Sequence, residues 1–478
     1  MTAVNPLAVL MPGFEGPELP EWVARRLREG MGGVCLFATN VESPEQLKEL
    51  TAAIREANPR AVISIDEEGG DVSRLYQAQG SPFPGNALLG RLNDPAITRA
   101  VGAQVGWELR EVGVNLTLAP DVDINTNVAN PVIGVRSFGA TPELVAAHGV
   151  AWTEGVQSTG VAANAKHFPG HGDTAQDSHV SLPTVDADLA TLREREFAPF
   201  QAAIDAGVAS LMSSHIMVPA IDAENPATFS HAILTELLRG EMGFDGAIVS
   251  DALDMVGASG EIGIPAAAAR ALAAGCDLLC IGTRNTDAQM GEIVAAIEAA
   301  LEAGTLSGER LADASRRIGR LVDTTLEAPE VPAMVSHGVI PGLDTTALRA
   351  GFQMADAVAA RLSQVTPGDV AWVRLEPAAN IAVGPSPWGP FASGVTADAV
   401  VTPESGLGSW SPAPGQTVIV VGKDNHRHAW AREAIDALRQ HDPVVVDMGW
   451  PDLTAPYADV ATFGASRFVG QALIEVFA

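Results

Sequence analysis

Residues 163–183 read ANAKHFPGHGDTAQDSHVSLP, and this one piece of chain holds both halves of an architecture. Its opening, Ala162–His167 (AANAKH), is small and apolar enough for a strand buried on both faces. Its remainder is a loop broken by Pro169, Gly170 and Gly172. Lys166, His167, His171, Asp173, Asp177 and His179 fall within fourteen residues of it and include three of the chain's ten histidines. Titratable groups crowded beside glycines mark a site, because close backbone approach and tuned proton affinities are both useful there.

Seven further runs repeat the opening half: Ala8–Gly13 (AVLMPG), Gly33–Ala38 (GVCLFA), Val62–Asp66 (VISID), Asn115–Pro120 (NLTLAP), Ser210–His215 (SLMSSH), Ala247–Asp251 (AIVSD) and Asp277–Gly282 (DLLCIG). Helical patterns lie between them. Pro44–Ala57 has Ser43 before it as a cap, Thr141 is expected to cap a helix opening PELVAAHG, and Asp188–Asp205 carries apolar residues at helical spacing. Eight strand–helix units in about 320 residues predict a (β/α)8 TIM-like barrel rather than an open doubly wound sheet.

The pattern changes at Glu327–Leu343, a proline-bearing connector. Beyond it Val370–Leu375, Asn380–Val383, Ala399–Thr402, Thr417–Gly422 and Val444–Asp447 read as short strands, with helical patterns at Ala429–Gln440 and Ala465–Glu475. The expected organisation is a barrel domain over residues 1–328, a linker over 329–345 and a smaller α/β sandwich over 346–478.

A barrel gathers its reactive groups at the C-terminal ends of its strands. Strand three ends at Asp66, with Glu67, Glu68 and then Arg74 after it. Strand four ends near Asp121 and Asp123 and its loop reaches Arg136; strand five ends at Lys166 and His167, strand six at His215, strand seven at Asp251. Arginine and lysine on such a rim can grip hydroxyls, a phosphate or a carboxylate. A carboxylate closing an apolar strand, with an imidazole on a nearby loop, makes a nucleophile and an acid/base.

Bulk composition narrows the partners. The net charge of −29 repels phosphate backbones and anionic lipids, which argues against nucleic acid and membrane surfaces. The start, MTAVNPLAVLMPGFEG, has no basic region of the secretory kind, and no run approaches the roughly 20 apolar residues needed to cross a bilayer. Cys276 and Cys280 on one strand would stand about 13 Å apart, too far to bridge. A reducing cytoplasm is the expected location.

KHFPGHGDTAQDSH (166–179), IDEEGGDVSRL (65–75), VIGVRSFG (132–139) and VSDALDM (249–255) together resemble family 3 glycoside hydrolases, most nearly the bacterial β-N-acetylglucosaminidases of that family. The likeness runs over about residues 5–325, and beyond it the chain is similar only in kind. It implies a retaining mechanism in which Asp251 is the nucleophile, His179 the acid/base and Asp177 its orienting partner. It places sugar-binding positions on Asp66, Arg74, Arg136, Lys166 and His167. The substrate so implied is a small oligosaccharide containing β-linked N-acetylglucosamine, from peptidoglycan or chitin. No metal or organic cofactor is expected, and monomer and homodimer are both left open.

A histidine suits the acid role physically, since its ordinary pKa near 6.5 lies close to neutral pH. Having given up its proton it is neutral and does not repel an anion, so inorganic phosphate stands beside water as an acceptor and a phosphorylase shares every residue named. One departure is visible: Ala252 comes after Asp251 where relatives carry an acidic residue, and Asp254 comes three positions on. His171, Asp173 and Thr174 read as groups that shape the glycine turns. His215 is divided between support of the site and a satisfied core histidine. A metal site built from His167, His171, Asp173, Asp177 and His179 is the sharp rival, weakened because strands one and eight offer no ligands. The polar run Lys423–His428 (KDNHRH) reads as a solvated loop.

Overall fold

Parallel strands buried on both faces dominate the N-terminal two thirds of the chain, as the apolar runs require. In the computed structural model, which describes residues 5–176, 182–260, 262–326, 340–379 and 382–477, each of the eight runs contributes one strand. They are β1 (Leu10–Met11), β2 (Gly33–Leu36), β3 (Val62–Ile65), β4 (Leu116–Thr117), β5 (Ala162–Phe168), β6 (Ser210–Ser213), β7 (Ala247–Ser250) and β8 (Leu278–Cys280). Their order is β1-β8-β7-β6-β5-β4-β3-β2, and every pair in that order is parallel. Backbone bonds from Gly32 to the Leu7 carbonyl (3.0 Å) and from Cys35 to the Pro12 carbonyl (3.0 Å) close the remaining seam. The result is a TIM-like barrel.

Helices between the strands begin where the sequence offers caps. Ser43 accepts from the Gln46 amide at the head of Pro44–Ala57, and Asp94 accepts from the Ala96 and Ile97 amides at the head of Pro95–Glu111. The expected Thr141 cap is the exception: Thr141 stands at the N-cap position of Pro142–Gln157, but its side chain makes no cap bond. The 188–205 segment is helical with a stretch of wider π-type turns at Leu192–Glu196.

The second domain is an α/β layer around a six-stranded sheet: β9 (Gln353–Met354), β10 (Val370–Leu375), β11 (Ala399–Val401), β12 (Thr417–Gly422), β13 (Val444–Asp447) and β14 (Val460–Ala461). The order is β9-β14-β13-β12-β10-β11, parallel except for β9 against β14. Helices Ala429–Leu438 and Arg467–Ile474 match the expected ones. Of the expected strand at Asn380–Val383, residues 380–381 lie outside the described residues, and 382–383 make a turn whose carbonyls are turned toward the barrel. Most of the expected linker, residues 329–339, also lies outside the described residues. The apolar core of the barrel continues into the second sheet through Leu348, Ile419, Val446 and Phe477, so the two domains share buried surface.

Candidate active site

A cavity of about 320 Å³ opens at the C-terminal ends of the barrel strands, and Asp66, Arg74, Arg136, Lys166, His167 and Asp251 all line it. Six of the eight residues singled out from the sequence therefore converge. Asp177 and His179 lie outside the described residues.

Strand alternation explains part of the convergence. Past Asp66 the chain enters a short hairpin, Glu67–Gly69 against Val72–Ser73. Successive residues point to opposite sides there. Glu67 turns away from the cavity and its carboxylate accepts the Ser73 hydroxyl and the amides of Arg74 and Leu75. Burial raises Glu67 to about 7. Glu68 shares the side of Asp66 and reaches the cavity. On β5, adjacent Lys166 and His167 would normally diverge. The pairing with β6 slips between Ala165 and Phe168, and both side chains line the cavity.

The floor is an ionic lattice. Glu68 takes two bonds from the Arg136 guanidinium, 3.0 Å from Nε and 2.7 Å from Nη2, and a third contact of 2.7 Å from Lys166 Nζ. Lys166 also donates to Asp66 at 3.0 Å, and Arg74 stands 3.6 Å from the other oxygen of Asp66. Burial opposes the charged forms of Asp66 and Glu68, yet Lys166 with Arg74 in one case and Arg136 with Lys166 in the other hold both carboxyls below their ordinary values. Lys166 is raised in turn: burial lowers it, and Glu68 and Asp66 more than compensate. These groups are fixed as ions in one geometry, which is what a rigid grip on several hydroxyls needs.

His167 is held differently. Its Nδ1 is 2.7 Å from Asp123 Oδ2, whose carboxylate also accepts the amides of His167 and His171. An Nδ1–H donated to Asp123 leaves the Nε2 lone pair toward Arg136 Nη2, 3.4 Å away. Burial, then the Arg136 charge, lowers His167 to about 4, so it is neutral near pH 7 and offers an acceptor. Asp121, within 3.6 Å of Arg136, is raised by burial and by Asp123.

Asp251 comes directly after the last residue of β7. Its Oδ1 accepts the Ala252 amide at 2.8 Å and its own amide donates to the Ser213 carbonyl. His215 stands behind it. The Nε2–H donates to the Ala252 carbonyl (3.1 Å) and Nδ1 meets Thr228 Oγ1 (2.9 Å), so this fully buried histidine braces the turn that carries Asp251. Asp254 lines the same cavity but accepts from the Thr283 amide (2.9 Å) and tethers the loop after β8.

His171 and Thr174 behave as the glycine-turn reading expects, bonded to each other at 2.7 Å. Asp173 pairs with Arg195 at 2.6 Å. The metal rival thus loses Asp173. Among the described residues Asp121, Asp123 and His167 bring ligand atoms together. Asp123 is already taken by two amides and the imidazole, and the Arg136 cation stands over Asp121. Those residues fit an ion-pair lattice better than a cation.

Glu68, Asp121 and Asp123 are the site groups that reasoning from sequence leaves without a role. The two-residue step from Asp66 to Glu68, on the same strand side, is the available signal. The Lys423–His428 run is not a solvated loop. Arg427 Nη1 donates to the Asn130 carbonyl at 2.9 Å and His426 Nε2 to the Val128 carbonyl at 3.3 Å, so the run wedges against the loop after β4.

Residues 17–321 match the glycosyl hydrolase family 3 N terminal domain. Beta-hexosaminidase A of Pseudoalteromonas piscicida is 37% identical over 331 residues, 64% of this chain and 55% of that protein. A beta-hexosaminidase of Alkalilimnicola ehrlichii is 38% identical over 282 residues, 58% of this chain and 80% of its own. Among solved structures, a family 3 β-N-acetylglucosaminidase from Paenibacillus sp. str. FPU-7 superposes with a TM-score of 0.86 at 29% identity, covering 100% of this chain and 96% of that one. NagZ from Neisseria gonorrhoeae in complex with N-trifluoroacetyl-D-glucosamine gives 0.56 at 32% identity over 67% of this chain and 93% of that one. With the family domain matching well over half of its length, and over the barrel that carries the cavity, the chain belongs to glycoside hydrolase family 3.

Proposed function

We propose that this protein is a cytoplasmic, exo-acting, retaining β-N-acetylglucosaminidase that removes terminal N-acetylglucosamine from peptidoglycan or chitin fragments. One observation carries the reading: Asp251 faces, across a cavity of about 320 Å³, a grip of Asp66, Arg136, Lys166 and His167 that is already ion-paired and oriented. The names of its relatives supply the N-acetyl sugar.

The chemistry divides between two groups. An oxygen of Asp251 attacks the anomeric carbon, forming a glycosyl ester as the bond to the leaving oxygen breaks. His179, which Asp177 orients, gives that oxygen its proton. The neutral imidazole then takes a proton from water, the water oxygen bonds to the anomeric carbon, and the ester to Asp251 breaks. Net retention results from two inversions. The hydroxyls stay on Asp66, Arg136, Lys166 and His167 throughout, with Arg74 holding Asp66 in place.

The test is release of 4-nitrophenol from the N-acetyl-β-glucosaminide and the β-glucoside, each in phosphate and in phosphate-free buffer. Turnover of the first alone, giving free sugar at a phosphate-independent rate, is the expected result. Sugar 1-phosphate as the main product would make it a phosphorylase, and turnover of the β-glucoside alone would overturn the N-acetyl reading. Asp251→Asn should lower kcat by at least about a thousandfold.

A further inference from the structure

The second domain reaches the lining of the sugar cavity only at Ala382 among the described residues. It nevertheless touches the loop that carries Arg136 and the segment that carries Arg74, and Asn130 ties the first of these to the loop after β5. Asn130 is 1% exposed and both of its side-chain polar atoms are in use. Oδ1 accepts the amides of Val132 and Ile133, each at 2.9 Å, which sets the turn leading to Arg136. Nδ2 donates to the carbonyls of His171 (2.9 Å) and Gly172 (3.1 Å) on the loop after β5. The two loops are in backbone contact at this point: a Cβ on Gly172 would fall 1.8 Å from the Ile124 carbonyl oxygen.

The Asn130 carbonyl accepts from Arg427 of the second domain at 2.9 Å. Beside that bond the domains leave an interdomain cavity of about 220 Å³ between residues 130–136 and the Lys423–His428 run. The 130–136 segment is therefore not packed continuously, and support reaches it through discrete contacts. Arg74 is held from the same domain, by the carbonyls of Ala382 (2.8 Å) and Val383 (3.2 Å).

We infer that Asn130 is a positioning residue that locks the Arg136 loop to the His171 loop, and that Arg427 extends this lock into the second domain. The lock keeps Arg136 over Glu68 and the hydroxyl side of the sugar while His171 keeps its place in the cavity wall.

The inference rests on the glycosidase reading for its kinetic test, and the variants are chosen to separate the two. Asn130→Asp keeps an acceptor for the Val132 and Ile133 amides and loses the donations to His171 and Gly172, so it cuts the tie between loops and spares the turn. Arg427→Ala cuts the clamp alone. The kcat and KM of each variant and of the double variant are measured on 4-nitrophenyl N-acetyl-β-glucosaminide and on chitobiose, beside thermal melts. Asn130→Asp should melt cooperatively and lose at least about tenfold in kcat/KM, more on chitobiose, whose leaving oxygen needs the proton. Arg427→Ala should lose about threefold, and the double variant should fall no further than Asn130→Asp, because one lock is broken twice. A folded Asn130→Asp with unchanged kcat and KM would overturn the lock, and independent multiplying effects would overturn the clamp. If the wild type turns over neither substrate, the glycosidase reading fails. The lock is then read from N-acetylglucosamine binding by calorimetry, where equal affinity in wild type and Asn130→Asp sinks it.

Discussion

Replacing Glu68 by glutamine removes one charge from the centre of the lattice while keeping its shape. Three charge-assisted contacts converge on that carboxylate, two from Arg136 and one from Lys166, and the side chains are 2% (Glu68), 6% (Arg136) and 3% (Lys166) exposed. Stripping one partner from a buried ion pair costs about 3–5 kcal/mol, chiefly because the survivor is left uncompensated. Neither survivor is wholly orphaned here. Arg136 keeps the Val132 carbonyl at 3.1 Å and the Asp121 carboxyl at 3.6 Å, and Lys166 keeps Asp66 at 3.0 Å. The amide oxygen of glutamine can also accept from one of them. The lower end of the range, about 3 kcal/mol, is therefore the expected loss.

Guanidinium denaturation of wild type and Glu68→Gln near pH 7 reads that loss, and kcat/KM on 4-nitrophenyl N-acetyl-β-glucosaminide should fall by about a hundredfold as Arg136 and Lys166 leave their positions. The pH dependence is a separate check on the cause. Glu68 is held below its ordinary 4.5 by Arg136 and Lys166 against burial. A carboxyl with a depressed folded value contributes its stability above the unfolded value and loses it as pH falls toward the folded one. The gap between wild type and variant should thus narrow progressively below about pH 4.5. Equal midpoints at pH 7 with kcat/KM inside about twofold would refute the reasoning, since the lattice would then hold neither the fold nor the grip.

Other consequences are as direct. Asp123→Asn should free the His167 ring to flip or change tautomer and raise KM by about tenfold with little change in the melt, and an unchanged KM would remove Asp123 from the orientation of that imidazole. Burial, and then the Arg136 charge, hold the imidazole of His167 down at about 4, so N-acetylglucosamine affinity should stay flat as pH drops from about 7 to 5 and fail near 4; a midpoint near 6.5 by calorimetry would contradict the neutral acceptor. Cys35, Cys276 and Cys280 are buried, and burial pushes Cys276 up to about 12. All three should therefore react with a disulfide reagent only after denaturation, and rapid labelling of the native protein would refute that.

The barrel is legible because its strands are covered on both faces, so each prints as an apolar run that ends at the rim where polarity begins. That same boundary makes Asp66, Lys166, His167 and Asp251 legible as residues that line one cavity. Strand β9 and strand β14, two residues each, have no periodicity to read. Glu68 escapes notice because a second acidic residue beside Asp66 looks like surface charge until the hairpin fixes which side it takes. Period two is enough to place it, once the strand is known to continue past Asp66.

The second domain marks a deeper limit. Arg427 and Asn130 are 297 positions apart, and nothing in either segment names the other. The KDNHRH run looks like a solvated loop because its polarity is real: Lys423 lies over the Trp388 ring at 4.9 Å, and Arg427, paired with Asp424 of its own run at 3.5 Å, reaches the barrel only through a backbone carbonyl. Contacts of side chain to backbone between domains carry no complementary residue pattern. The same holds for Arg74 on the 382 and 383 carbonyls. A cavity lined by one domain and steadied by another is therefore half visible in sequence: the charged groups at the strand ends announce their chemistry, and the groups that hold them still become visible only when the chain is folded.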